Sequence, residues 1–224
     1  MASMSPPSRT ALLAGATGLV GRALLPRLLR SHASVDVLVR RAVPELGSDP
    51  RARLHVVDFA RLPTTFPAVD DVFIALGTTI AVAGSQAAFR AVDFDAVVDT
   101  AKAARAAGAR RLAIVSALGA DAGLRVFYNQ VKGEMEQAVA ALGFDSVTIA
   151  RPSMLVGDRA ALGQPIRSGE VWATRLTRPL GWLVPRSVRP IAAADVAAAL
   201  VRATAQGASG VHFLSSAAMQ GGAD

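Results

Sequence analysis

The stretch Gly15-Ala16-Thr17-Gly18-Leu19-Val20-Gly21 follows the apolar run TALLA and opens a segment, Val20 to Arg30, with the leucine spacing of a helix. Glycine at 15, 18 and 21 permits the tight turn and close backbone approach that a pyrophosphate requires. A helix N-terminus directly behind such a turn offers free N–H groups and a favourable dipole to an anion. The spacing is G-x-x-G-x-x-G, a departure from the dinucleotide fingerprint G-x-G-x-x-G. Three glycines in seven residues also suit a plain strand-to-helix turn. On a first strand, opening a helix inside a βαβ unit, they point to dinucleotide binding.

Outward from that turn, short β-branched runs alternate with longer alanine-rich amphipathic stretches, the pattern of a parallel sheet covered by helices. Strands are predicted near TALLAG, VDVLVR, RLHVVD, DVFIAL, RLAIVSA and SVTIARP, with helices over Val20 to Arg30, Gln86 to Ala107 and Val126 to Ala141. The second of these helices stops at Gly108, a good terminator. The expected fold is a doubly wound, mainly parallel α/β sheet that binds ligands at the carboxyl ends of its strands. Residues 1–152 form its nucleotide-binding core. After Arg151 prolines become frequent and both tryptophans, Trp172 and Trp182, appear. This reads as a small substrate lobe, 153–215, tied back by PIAAADVAAALVRAT and a last strand near GVHFLS. The tail from Ser216 is expected to fray.

Bulk composition narrows the class. The chain has 224 residues, 52% hydrophobic and 18% charged, which suits one globular domain with a full core. No apolar run approaches the roughly 18 residues of a membrane span, and the polar N-terminus makes a poor signal peptide. Cysteine is absent, so disulfide and thiolate chemistry are excluded, and a cytoplasmic location is the simplest expectation. The net charge of +7 comes from scattered arginines with few aromatics between them, a solvated surface rather than a nucleic-acid patch. His32, His55 and His212 lie far apart, so no metal site is expected.

The second strand bears on which dinucleotide binds. An NAD site usually ends that strand with a carboxylate for the ribose hydroxyls. Here VDVLVRR ends in Arg40 and Arg41, and Asp36 lies at the other end. Guanidinium forks at this corner suit a 2′-phosphate, which favours NADP(H) over NAD(H); the plain alternative is a pair of solvated loop cations. At the tip of the third strand, Asp58 with Phe59 beside it faces the adenine end. Asp58 either accepts from the adenine amino group or caps a turn.

Tyr128 is the only tyrosine, and Lys132, four residues on, is one of two lysines. A lone tyrosine meets a lysine at this spacing by chance about one time in a hundred. Residues four apart share a helix face, so phenol and ammonium can approach. A fixed positive charge favours the phenolate and makes a workable acid for an alkoxide, while the ammonium's three donors can hold ribose hydroxyls. The alternative is a ring packed on the sheet with a lysine reaching for water.

GATGLVG together with YNQVK resembles the short-chain dehydrogenase/reductase superfamily, in its atypical branch. More narrowly, LGTT, VSALGAD, YNQVKGEMEQAV and IARPSMLVGDR resemble the small NAD(P)-binding proteins related to the human Tat-interacting protein TIP30, and bacterial sequences labelled nucleoside-diphosphate-sugar epimerases. The resemblance implies that Tyr128 is the proton donor or acceptor and Lys132 its activator and ribose ligand. It implies that Ala75, Leu76, Gly77 and Thr78 line the cofactor, and that Pro152 and Ser153 flank the nicotinamide. The serine it calls for after the fifth strand can only be Ser116, which precedes Tyr128 by fewer residues than in sugar-modifying relatives. The alternative reading of Ser116 is a strand-end hydroxyl bonded to backbone.

These readings lead to an NADP(H)-dependent oxidoreductase acting on a small carbonyl or alcohol, as a monomer or homodimer without nucleic-acid or membrane partners. A nucleotide-sugar epimerase or dehydratase is the enzymatic alternative, and a non-catalytic NADP(H)-sensing regulator the other. Trp172, Trp182 and Met154 either line the substrate pocket or belong to the core.

Overall fold

The computed structural model describes residues 8–63, 66–157 and 185–220. Its centre is a seven-stranded sheet. The strands are β1 (Thr10–Ala14), β2 (Ser34–Val39), β3 (Ala52–Val56), β4 (Asp71–Ile74), β5 (Arg111–Val115), β6 (Ser146–Arg151) and β9 (Gly210–Ser215); β7 (Leu155–Val156) and β8 (Ile191–Ala192) pair separately. The order is β3-β2-β1-β4-β5-β6-β9, and every pairing is parallel. Parallel strands are covered on both faces, which is why residues 11–14 of β1 and 72–74 of β4 are apolar without alternation. All six predicted strands and the last one near GVHFLS are present.

Helix α1 (Leu19–Ser31) buries Val20, Leu24, Leu25 and Leu28, a stripe at helical spacing, against one face of the sheet. The return helix α6 (Ala193–Gln206) joins it there through Val196, Ala197, Ala199 and Leu200. The opposite face is covered by α4 (Ala96–Ala106) and α5 (Phe127–Ala140), whose Val97, Ala101, Met135 and Val139 pack with Ile74, Leu112, Ile114 and Ile149.

Chain order reverses between β1 and β4: one half winds outward through β2 and β3, the other through β5 and β6. Their carboxyl ends diverge into a crevice at this switch point, the place where open α/β sheets take ligands. Short helices α2 (Ile80–Ala83) and α3 (Gln86–Arg90) follow β4 at that end, capped by the hydroxyls of Thr79 and Ser85.

Asp71 anchors the opposite end of the sheet. It is fully buried, with His32 Nε2 at 2.9 Å, Arg111 bonded to it and Arg9 at 3.6 Å. Burial opposes its ionisation, yet the hydrogen bonds from His32 and Arg111 and the charges of Arg9 and Arg111 outweigh that, holding the carboxyl below its usual range.

Two expectations need correction. The helix predicted over Gln86 to Ala107 is not uniform: α3 passes through a π-helical turn, Ala91–Asp95, before α4 begins, and the run ends at Gly108 with φ +105°. The tail does not fray at Ser216. Residues Ser216–Met219 form helix α7, because Met219 is wholly buried in the cluster shared with α1 and α6. Trp172 and Trp182 lie outside the described residues, as does the stretch 158–184 of the segment read as a substrate lobe.

Candidate cofactor site

Gly15 leaves β1 with φ +91°, a conformation glycine adopts freely. A Cβ there would lie 2.5 Å from the carbonyl of Ala75, so the first turn and the end of β4 are in backbone contact. At Gly21 a Cβ would lie 2.0 Å from the Gly15 carbonyl oxygen. Gly18 differs: a Cβ would have room, in ordinary contact with the carbonyl oxygens of Gly15 at 3.4 Å and Ala75 at 4.0 Å. Gly18 caps α1 without a side-chain bond, its N–H donates to Gly15 O at 3.0 Å, and the first turn carries no acidic residue. The N–H groups of that turn have no partner four residues back and remain available to an anion. The unusual spacing thus builds a phosphate cradle: two glycines for close packing and a third for the approach of a ligand. Ala16 and Val20 are buried beneath it, and Thr17 is exposed on its rim.

Arg40 and Arg41 emerge exposed from the end of β2, and neither has an ion-pair or hydrogen-bond partner among the described residues. Asp36 is occupied elsewhere, with Arg53 at 2.8 Å and His55 at 2.7 Å. Asp58 Oδ1 accepts from the N–H of Ala60 at 2.9 Å, so the carboxylate caps a turn, as one of its two readings had it. Phe59 and Leu76 pack against the core on the α4–α5 side.

On the other side of the crevice stand Ser116, Tyr128 and Lys132. Ser116 follows β5, with its N–H donated to Ala150 O at 2.8 Å. Its hydroxyl does not bond to backbone: it is buried, with the residue 5% exposed, and has no partner among the described residues. A buried hydroxyl left so is costly, and a ligand oxygen would satisfy it. Tyr128 lies half-buried in the first turn of α5, its ring 5.3 Å from Phe89 and tilted 39°. Asn129 Nδ2 donates to Gly119 O at 2.6 Å, and Gly133 sits so close to the backbone of Asp121 and Ala122 that a Cβ would come within 2.1 Å. These two residues of YNQVKG seat α5 flush on the loop carrying Ser116, a role that sequence reasoning missed.

Lys132 does not reach for water. It is 3% exposed, and its Nζ lies 2.7 Å from Oδ1 of Asp93, itself 1% exposed in the π-helical turn. Asp93 Oδ2 accepts from the N–H of Thr78 at 2.8 Å, and Gly77 packs beside the pair. Asp93 was not read from the sequence, although a signal was present: four residues after buried Phe89 and four before buried Val97, it occupies the apolar stripe of its helix.

Pro152 is buried after β6, and its carbonyl accepts from Leu118 at 2.9 Å. Ser153 Oγ donates to Arg189 O and lies 2.9 Å from Ser216 Oγ, so it fastens the return segment. Met154 is exposed beside it.

Glycine cradle, switch point and paired strand ends define a dinucleotide-binding Rossmann-like protein, and the comparisons agree. A family model described as NAD(P)H-binding matches residues 15–207, and the chain belongs to that family. Protein FMP52 of Eremothecium gossypii is 41% identical over 153 residues, 66% of this chain and 67% of its own length. Protein HTATIP2 of Rattus norvegicus is 35% identical over 174 residues, 75% of this chain and 69% of its own. Among solved structures, MoeE5 in complex with UDP-glucose and NAD superposes with a TM-score of 0.68 at 20% identity, covering 92% of this chain and 75% of that one. At that identity the likeness shows a shared fold.

The relatives also correct the expected cytoplasmic location, because the FMP52 proteins are named mitochondrial. The lack of cysteine excludes disulfides but does not specify a compartment. No described helix is long and apolar enough to cross a membrane.

Proposed function

We propose that the protein is an NADP(H)-dependent oxidoreductase acting on a small carbonyl or alcohol. The observation that carries this reading is the buried hydroxyl of Ser116, without a partner among the described residues, at the same sheet end as the phosphate cradle. When bound, the nicotinamide supplies or accepts a hydride. In the reducing direction, Ser116 donates a hydrogen bond to the substrate oxygen, which gains negative charge as its carbon takes the hydride. Tyr128 delivers the proton to that oxygen, leaving a phenolate. Lys132 holds the ribose, and Arg40 and Arg41 clamp the 2′-phosphate. Three features support a dinucleotide here: the glycine turn, a helix start without a side-chain cap, and two arginines without a partner among the described residues.

The test is NADPH consumption over a panel of small aldehydes and ketones. Parent protein turns over at least one class, and Ser116→Ala lowers kcat about a hundredfold with cofactor affinity unchanged. If no carbonyl or alcohol is turned over while NADPH still binds, the protein is a cofactor-sensing regulator. A nucleotide sugar converted without net cofactor change would make it an epimerase.

A further inference from the structure

We propose that Asp93 is a positioning residue for the cofactor, holding the Lys132 ammonium at the end of β4; this rests on the reading of Lys132 as a ribose ligand. An ion pair between two groups this deeply buried is a poor device for stability, because desolvating both charges offsets most of their attraction. Its location suggests another use. Oδ1 of Asp93 takes the ammonium at 2.7 Å, while Oδ2 takes the backbone N–H of Thr78 at 2.8 Å. One carboxylate therefore links α5 to the loop that follows β4, whose next turn inward contacts Gly15.

The pair also sits where a cofactor would pass. A Cβ on Gly77 would lie 3.4 Å from Asp93 Oδ1 and 3.9 Å from Lys132 Nζ, so the loop after β4 packs its backbone directly against the pair. Asp93 reaches it from a π-helical turn, a distortion that helices keep mostly at functional sites. Other charges nearby are engaged elsewhere: Glu134 with Arg90, and Glu136 with Arg151. The ion pair fixes where the ammonium stands, and its three donors meet ribose hydroxyls from that position. A flexible lysine thereby gains the preorganisation that a binding site needs.

The experiment is a double-mutant cycle on NADPH affinity with thermal midpoints measured alongside. Asp93→Asn and Lys132→Met are each expected to raise the Kd about tenfold, and the double variant to raise it no further, because both act through one contact. Asp93→Glu keeps the charge but moves it by one methylene, and is expected to weaken NADPH as well, a loss that a purely stabilising pair would not show. If Lys132→Met weakens NADPH while both Asp93 variants bind like the parent, the inference falls and the cofactor reading stands. Additive losses in the double variant also overturn it. If the parent binds neither NADPH nor NADH, the proposed function fails, and this inference with it.

Discussion

Gly21→Ala is expected to cost about 3 kcal/mol of stability or more and to abolish cofactor binding, while Gly18→Ala leaves the fold intact and loses only the cofactor. The contrast comes from the cradle itself. A methyl at position 21 would lie 2.0 Å from the Gly15 carbonyl oxygen and 2.8 Å from the Ala16 Cα, both backbone atoms, so the first turn must move off β1. That turn is held from its other side by Ala75, which leaves it nowhere to go. At position 18 the methyl meets nothing nearer than 3.4 Å, and the cap conformation suits any residue. Its cost to folding is about 1 kcal/mol or less. It does occupy the space a pyrophosphate approaches, so NADPH affinity falls at least about tenfold. Thermal midpoints and NADPH titrations of the two variants check this; equal stability losses at both positions would mean that the glycines serve packing alone.

Tyr128→Phe is expected to lower turnover by about two to four orders of magnitude without changing the affinity for NADPH. The phenol is the only one in the chain, so no other tyrosine can take over its proton. The ring's contact with Phe89 survives the substitution, and with it the seating of α5. Steady-state kinetics on whichever carbonyl is accepted, with a parallel cofactor titration, separate the two quantities. Turnover retained in the phenylalanine variant would leave the ring a packing residue and place the proton elsewhere.

Much of the fold was legible because parallel strands buried on both faces advertise themselves as unbroken apolar runs, and because the glycine turn marks the first of them. The return of PIAAADVAAALVRAT to the sheet was legible for the same reason: its alanines and valines repeat at helical spacing. What escaped had weaker signatures. A π-helical turn adds a single residue to a helix and barely disturbs its periodicity, so Ala91–Asp95 looked like ordinary helix. Asp93 was passed over because an acid within an amphipathic segment reads as surface; only its register with Phe89 and Val97 gives it away. Met219 could not be weighed, since one apolar side chain amid alanine and glycine has no periodicity to show. Ser153 bonds the return segment through its hydroxyl, a contact between residues 36 positions apart that no local pattern contains.

The most direct test of the central claim is a side-by-side titration of the purified protein with NADPH and NADH, followed by nicotinamide fluorescence. NADPH is expected to bind at least about tenfold more tightly, and Arg40→Ala or Arg41→Ala to erase the preference by weakening NADPH alone, because only NADPH carries the phosphate those guanidinium groups would hold. Equal affinities, or a preference for NADH that the arginine variants leave untouched, would contradict it.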